Sequence, residues 1–169
     1  MLFSIGNGQV ITDVLTGMYK NIPIRIFSYA TIVGSGKSAK TYPFTVCEAT
    51  FDAVLPDIKL HTKTVFNNMN DFEYSWGDSS VTLEGDFNKY FSLRVPKGTE
   101  VQAYEALPPD VMSVLIDKAR GLNFELCGSH VYVYVPKIVS HSRDLQSLLS
   151  LAEYLFTVFN VNVSGIKNK

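Results

Sequence analysis

The chain has 169 residues, 46% of them hydrophobic and 18% charged, with 15 lysines and arginines against 16 acids. That length fits one domain with an ordinary core, and 11 Phe with 9 Tyr exclude a disordered chain. Two cysteines exclude a disulfide scaffold, and a formal charge of −1 leaves no nucleic-acid footprint over the chain as a whole.

No segment reads as a signal peptide or a membrane span. Met1 to Val10 lacks both a basic region and an apolar run. Leu145 to Val163 is patterned and carries Glu153, Asn160 and Asn162, whereas a span needs about 20 predominantly apolar residues. The chain is expected to be a single soluble domain over residues 1–169, because strand-like sequence resumes on both sides of the loop region Asn67 to Ser80.

The first half reads as strands. Val10 to Tyr19 is one, ending near Lys20-Asn21. Ile22 to Val33 sets Ile24, Ile26, Ser28, Ala30 and Ile32 on one face against Arg25, Phe27, Tyr29 and Thr31 on the other. Both faces are apolar enough to predict a central strand or one covered on both sides. Gly34 to Ala39 breaks the pattern, and Lys40 to Phe51 resumes it, so these two runs predict a hairpin. Leu55-Pro56-Asp57 turns the chain into a strand over Ile58 to Val65. Asn67 to Ser80 is rich in turn formers and reads as a loop, and Asp71 to Asp86 holds five acids and no base.

The second half is mixed. Val81 to Glu84 is expected as a strand and Asp86 to Tyr90 as one helical turn. Phe91 to Val95 and Glu100 to Ala106 are expected to form a second hairpin across Pro96-Lys97-Gly98. Pro109 to Arg120 predicts a helix: proline stands in its first turn, Asp110 near its positive end, and Gly121 where a terminating glycine belongs. Its buried stripe is Val111, Val114, Leu115 and Ala119. Asn123 to Cys127 and His130 to Val135 predict a third hairpin across Gly128-Ser129. Ser140 or Ser142 then caps a longer helix, Arg143 to Phe159, with a stripe of Leu145, Leu148, Leu149, Ala152, Phe156 and Phe159.

Candidate chemistry is sparse. Gly34-Ser35-Gly36-Lys37-Ser38 suggests a phosphate loop, but Thr31 stands where that motif needs its first glycine. The strand-like Thr41 to Val46 follows, so no helix N-terminus would face a phosphate. Ser35 and Lys37 could pair only on an exposed loop, which does not depress a lysine pKa. Cys127 and His130 have a C-x-x-H spacing, yet zinc needs three or four ligands, and Cys47, His61 and His141 lie far off in sequence. Cys47 and Cys127 read as small buried hydrophobes inside strands. Glu84 and Asp86 share a face if their strand continues, and an exposed strand end explains them. Lys20, Arg25, Lys37 and Lys40 could cluster at one end of the first sheet and touch anionic lipid. Asn162-Val163-Ser164 is a glycosylation sequon with no sign of secretion. No residue receives a catalytic, cofactor-binding or metal-ligating role, and no cofactor is expected.

Several segments in order resemble a known group. They are Asp13 to Tyr19, Phe27-Ser28-Tyr29, Gly34 to Lys37, Tyr42 to Val46, Leu83 to Phe91, Pro109 to Met112 and Val131 to Tyr134. In this they are similar to bacterial membrane-anchored proteins that carry a domain of unknown function after N-terminal membrane helices. The resemblance covers about Phe3 to Phe159. It implies upstream membrane helices, a parent protein of the bacterial inner membrane, and a domain on the cytoplasmic side.

The expected fold is α+β: a mainly antiparallel, hairpin-built sheet with two main helices, the longer one C-terminal. The expected function is a non-enzymatic interaction or scaffold module at a membrane face, with an unidentified protein partner and no nucleic acid. A binder of a small apolar ligand or lipid is the alternative, and an enzyme of unknown class comes third.

Overall fold

The alternation of apolar residues along the strand segments gives most of them one face to bury, and antiparallel pairing satisfies their backbones. The computed structural model describes residues 2–52, 54–63 and 78–166, with side chains described to Asn160. Eight strands follow one another as β1 Gly8–Tyr19, β2 Ile22–Val33, β3 Lys40–Thr50, β4 Ile58–Thr62, β5 Asp78–Val81, β6 Phe91–Pro96, β7 Asn123–Cys127 and β8 His130–Val135. They form one antiparallel sheet in the order β1-β2-β3-β8-β7-β4-β6-β5. The helices are α1 Phe87–Tyr90, α2 Glu100–Ala106, α3 Pro109–Lys118 and α4 Ser142–Ile166. The expected α+β class and the long C-terminal helix are both present. Among the described residues, no helix is long and apolar enough to cross a membrane.

One sheet face carries the main core. Leu60, Leu93, Phe124, Val133 and Cys47 lie on it side by side across five strands, and buried residues of all four helices pack over it. The opposite face carries a second, aromatic cluster of Phe27, Tyr29, Phe44, Val46 and Tyr134. A 3-10 turn at Leu2–Ser4 covers that cluster with Leu2 fully buried. This cover explains why Ile22 to Val33 reads as apolar on both faces. The strand is next to the edge rather than central, and Phe27, Tyr29 and Thr31 are buried beneath the N-terminal segment.

Three expectations change. Glu100–Ala106 is a helix and not the second arm of a hairpin, because β6 takes β4 and β5 as its neighbours. Its Glu, Gln and Ala residues favour helix, and Ala103 and Ala106 reach the core at a spacing of three. The strand expected at Val81 to Glu84 runs Asp78–Val81 instead. The stripe of α4 is rotated: Leu148, Leu151, Ala152, Leu155 and Phe159 are buried, while Leu145, Leu149 and Phe156 flank them half-buried. Phe156 keeps a partner at that flank, stacking on Phe51 with ring centroids 4.8 Å apart.

The local signals otherwise act as read. Pro109 opens α3 with Asp110 in its first turn, and Gly121 reverses the chain after it at φ +81°. In α3, Val111, Met112, Leu115 and Ala119 are buried and Val114 is half-buried. The β1–β2 turn holds Lys20 and Asn21 at φ 48° and 66°, the two positive values that a tight two-residue hairpin requires. The end of the strand expected at Ile58 to Val65, most of the Asn67 to Ser80 loop and much of the acidic run lie outside the described residues.

Candidate functional site

The strand register builds a row of titratable side chains across the second sheet face. Arg25 on β2 lies opposite Glu48 on β3, and Glu48 opposite Tyr132 on β8. Tyr132 lies opposite Glu125 on β7, and Glu125 opposite Lys59 on β4. These residues alternate with the apolar ones that point to the helices, so the pleat puts them together without any shared sequence motif.

Glu125 is 2% exposed. Its carboxylate accepts the Leu2 amide through both oxygens at 3.0 Å and the Tyr134 hydroxyl at 2.9 Å. His61 Nε2 lies 3.8 Å from the same carboxylate and 3.0 Å from the Tyr134 hydroxyl. Burial pushes this carboxyl up, but the nearby His61 and the Leu2 amide outweigh it and hold the group below the ordinary glutamate range. Burial and the nearby Glu125 charge push the Tyr134 phenol well above its usual value. The cluster thus clamps the N-terminal turn onto the sheet. Phe3 seals it, edge-on to Tyr29 and Tyr132 at 5.1 and 4.9 Å, and the Thr31 hydroxyl donates to the Ile5 carbonyl at 2.6 Å.

Glu48 forms the second cluster. Arg25 donates to it from Nε at 2.6 Å and Nη2 at 2.5 Å, and His130 Nδ1 lies 3.1 Å from its other oxygen. The His130 ring stacks on Tyr132, whose phenol burial and the Glu48 charge push up to about 12. An open groove of about 340 Å³ runs past Pro23, Arg25, Glu48, Thr50 and His130. A carboxylate that orients an imidazole is a component of general-base sites. The nearest thiol is set the wrong way for a nucleophile: Cys127, the register partner of His130, is pushed up by burial and by the Asp57 charge.

The residues singled out in the sequence are not brought together. Gly34 to Ala39 forms the exposed β2–β3 hairpin tip, with a single 3-10 turn at Gly36–Ser38 and β3 directly after it. The four basic residues are dispersed. Lys20 lies at one end of the hairpin on Glu153 at 2.9 Å, Arg25 is taken up by Glu48, and Lys37 and Lys40 lie at the other end. Glu84 is exposed beyond the end of β5, and Asp86 pairs with Lys89 at 2.7 Å. Cys47 is buried on the helix-covered face. The backbone at Asn162 belongs to α4, and its side chain lies outside the described residues. Among the described residues, no group of three or more His, Cys, Asp and Glu could hold a metal ion.

The most unusual surface is β1. This strand closes one edge of the sheet and is exposed along its length. Val10 (53%), Ile11 (52%), Val14 (51%), Leu15 (66%) and Met18 (67%) are all large, apolar and open to solvent. They face both ways. Val10 and Leu15 lie beside Ala30 and Ile26 on the helix side, and Ile11 and Met18 beside Tyr29 and Pro23 on the other. A bulge between Thr12 and Leu15, with Asp13 at φ 53°, divides the edge into two halves.

These features define an antiparallel α+β sheet protein with a helix-covered face, a plugged polar face and a bare apolar edge. No protein-family model and no curated protein sequence matches the chain. Among solved structures, it is similar to the crystal structure of the mycobacterial trehalose monomycolate transport factor A, TtfA. The TM-score is 0.58 at 12% identity, covering 94% of this chain and 75% of that one. At that identity the likeness is one of fold.

Proposed function

We propose that this chain is a non-enzymatic interaction module that works at a bacterial membrane face, in the service of lipid transport. The observation that carries the reading is the β1 edge: five large apolar side chains stand open on the edge strand of the sheet. Such edges recruit partners by strand addition and are otherwise an aggregation liability. The titratable clusters, by contrast, are occupied with architecture. Glu125 holds the N-terminal turn, and Glu48 ties β2 to β8 through Arg25 and His130. The transport link is drawn from the name of the structural neighbour, a transport factor, and the membrane setting from the resemblance to membrane-anchored proteins.

Lipid binding by this chain itself draws less support from the grooves lined by the described residues. The mainly apolar groove beside Leu15, Ile26, Val139 and Leu145 measures about 220 Å³, below the roughly 300–1,000 Å³ of ordinary ligand pockets. Two larger grooves among the described residues, of about 340 and 380 Å³, are lined by charged residues such as Arg25, Glu48, Lys118 and Asp144. A photo-crosslinking amino acid at Leu15, in intact cells, tests the choice. The same group at Tyr104, also half-exposed but on α2, is the control. A discrete protein adduct at Leu15 alone is the expected result. Lipid adducts only, or equal adducts at both positions, would overturn it.

A further inference from the structure

We propose that the C-terminal half of β1 pairs with the same segment of a second copy of this chain, antiparallel about a two-fold axis at Gly17. The inference rests on the reading of β1 as a docking edge and names its occupant.

Gly17 is the first observation. It lies inside a strand without a positive φ, and a Cβ built there would meet nothing within 4 Å. Nothing among the described residues therefore requires glycine, although glycine weakens a strand. The space around it is open, so a second strand can lie alongside and a side chain can be placed at the axis without a clash. The second observation is that both faces of β1 are apolar. A helix or a membrane surface laid on the sheet would cover Leu15 and leave Met18 open, whereas an added strand places side chains on both faces at once.

The third observation is self-complementarity. About an axis at Gly17, Leu15 falls opposite Tyr19 of the second copy, and Thr16 opposite Met18. The pleat requires paired residues to share a face, and these do. Leu15, Gly17 and Tyr19 lie beside Ile26, Ile24 and Ile22, while Thr16 and Met18 lie beside Arg25 and Pro23. No like charges meet over these five positions. Asp13, the one acid on β1, lies in the bulge, past the end of these five positions and toward the Lys20-Asn21 turn of the second copy. The bulge ends the ladder there, and the two-fold operator uses up both β1 edges, so the pairing closes as a dimer and does not grow into a fibre.

The test is a disulfide trap in a Cys127→Ser background, which leaves Cys47 buried. Gly17→Cys places one thiol of each copy at the axis. Under mild oxidation it is expected to convert mostly to a covalent dimer, while Val10→Cys, equally exposed but beyond the bulge, stays monomeric. Without oxidant, sedimentation equilibrium of the unaltered chain is expected to give a mass that rises above 18.8 kDa with concentration. Leu15→Lys, at a position open to solvent, should abolish that rise and leave the circular dichroism unchanged. Equal trapping of both cysteine variants, or a monomeric Gly17→Cys, would overturn the inference. If a photo-crosslinker at Leu15 then captured a different protein, β1 would remain a docking edge with a foreign occupant. If it captured nothing, both readings would fall.

Discussion

Replacing Glu125 with alanine separates an architectural role from a surface one. The substitution removes the acceptor of the Leu2 amide, while the Tyr134 hydroxyl keeps His61 Nε2 at 3.0 Å. The amide is therefore the donor left buried without its partner, at a cost of about 1–3 kcal/mol. The one lost methylene adds packing at about 0.8 kcal/mol, so the expected loss is roughly 2–4 kcal/mol. For a chain of this size that is a fall of about 5–15 °C in melting temperature. The loss should be local in origin: exchange protection at Leu2 to Ile5 should disappear before that of the β3–β8 ladder. Glu125→Gln retains an acceptor oxygen and should cost under about 1 kcal/mol. The pH dependence provides a second check. Because the folded carboxyl lies below the ordinary range, its stabilisation is present above the unfolded value of 4.5 and is lost as pH falls through the folded value. The Gln variant should therefore show a flatter acid limb. Urea titration with a Glu125→Ala loss under about 0.5 kcal/mol, or unchanged exchange at Leu2, would refute the clamp.

Two further outcomes follow from the packing and the phenols. In α4, Leu151→Ala should cost about 2–5 kcal/mol by urea unfolding, whereas Leu149→Ala, on the half-buried flank, should cost about 1 kcal/mol or less; equal losses would contradict the rotated stripe. On the alkaline side, the folded Tyr132 phenol is pushed up to about 12 from 10.0, so its contribution is intact below pH 10 and is lost as pH rises through the folded value. The urea midpoint should fall over that window, and Tyr132→Phe should lessen the fall.

Much of the fold was legible because hairpins are local. The β2–β3 and β7–β8 pairs each join adjacent runs across a short turn, and Gly34 to Ala39 and Gly128-Ser129 announce those turns. The reading of Glu100 to Ala106 failed for the opposite reason. Val101 and Ala103 alternate with polar neighbours as a strand would, while Ala103 and Ala106 satisfy a helical spacing, and seven residues are too few for either period to win. What decided the matter was distant. Once β4 and β5 flank β6, no place beside it remains for a further strand. The α4 stripe shows the same limit. With apolar residues at 148, 149, 151, 152, 155, 156 and 159, sequence defines an apolar arc but not its centre, which the contacts with β3 and β8 fix.

The clusters on the second face were hidden more deeply. Glu48 and Glu125 each stand between apolar neighbours, in Val46-Cys47-Glu48-Ala49 and Phe124-Glu125-Leu126. An acid inside such a strand is a usable signal, because the alternation that buries its neighbours sends it to the opposite face. Sequence alone cannot say whether water or protein waits there. The answer comes from the chain's first turn, 123 residues away from Glu125, which folds back and brings the Leu2 amide to its carboxylate. That contact has the longest sequence separation among the bonds of the cluster, and the aromatic cover of Leu2 and Phe3 depends on it. The β1 edge follows from the same geometry. The N-terminal turn covers the second face over β2 and β3 and the helix-side core reaches β2, so both covers touch β1 only near its ends, where Gln9 donates to the Phe3 carbonyl and Tyr19 accepts from Gln146. Its apolar residues are left open by the reach of the two covers, not by any lack of hydrophobicity, and for that reason the proposed partner strand is placed at this edge.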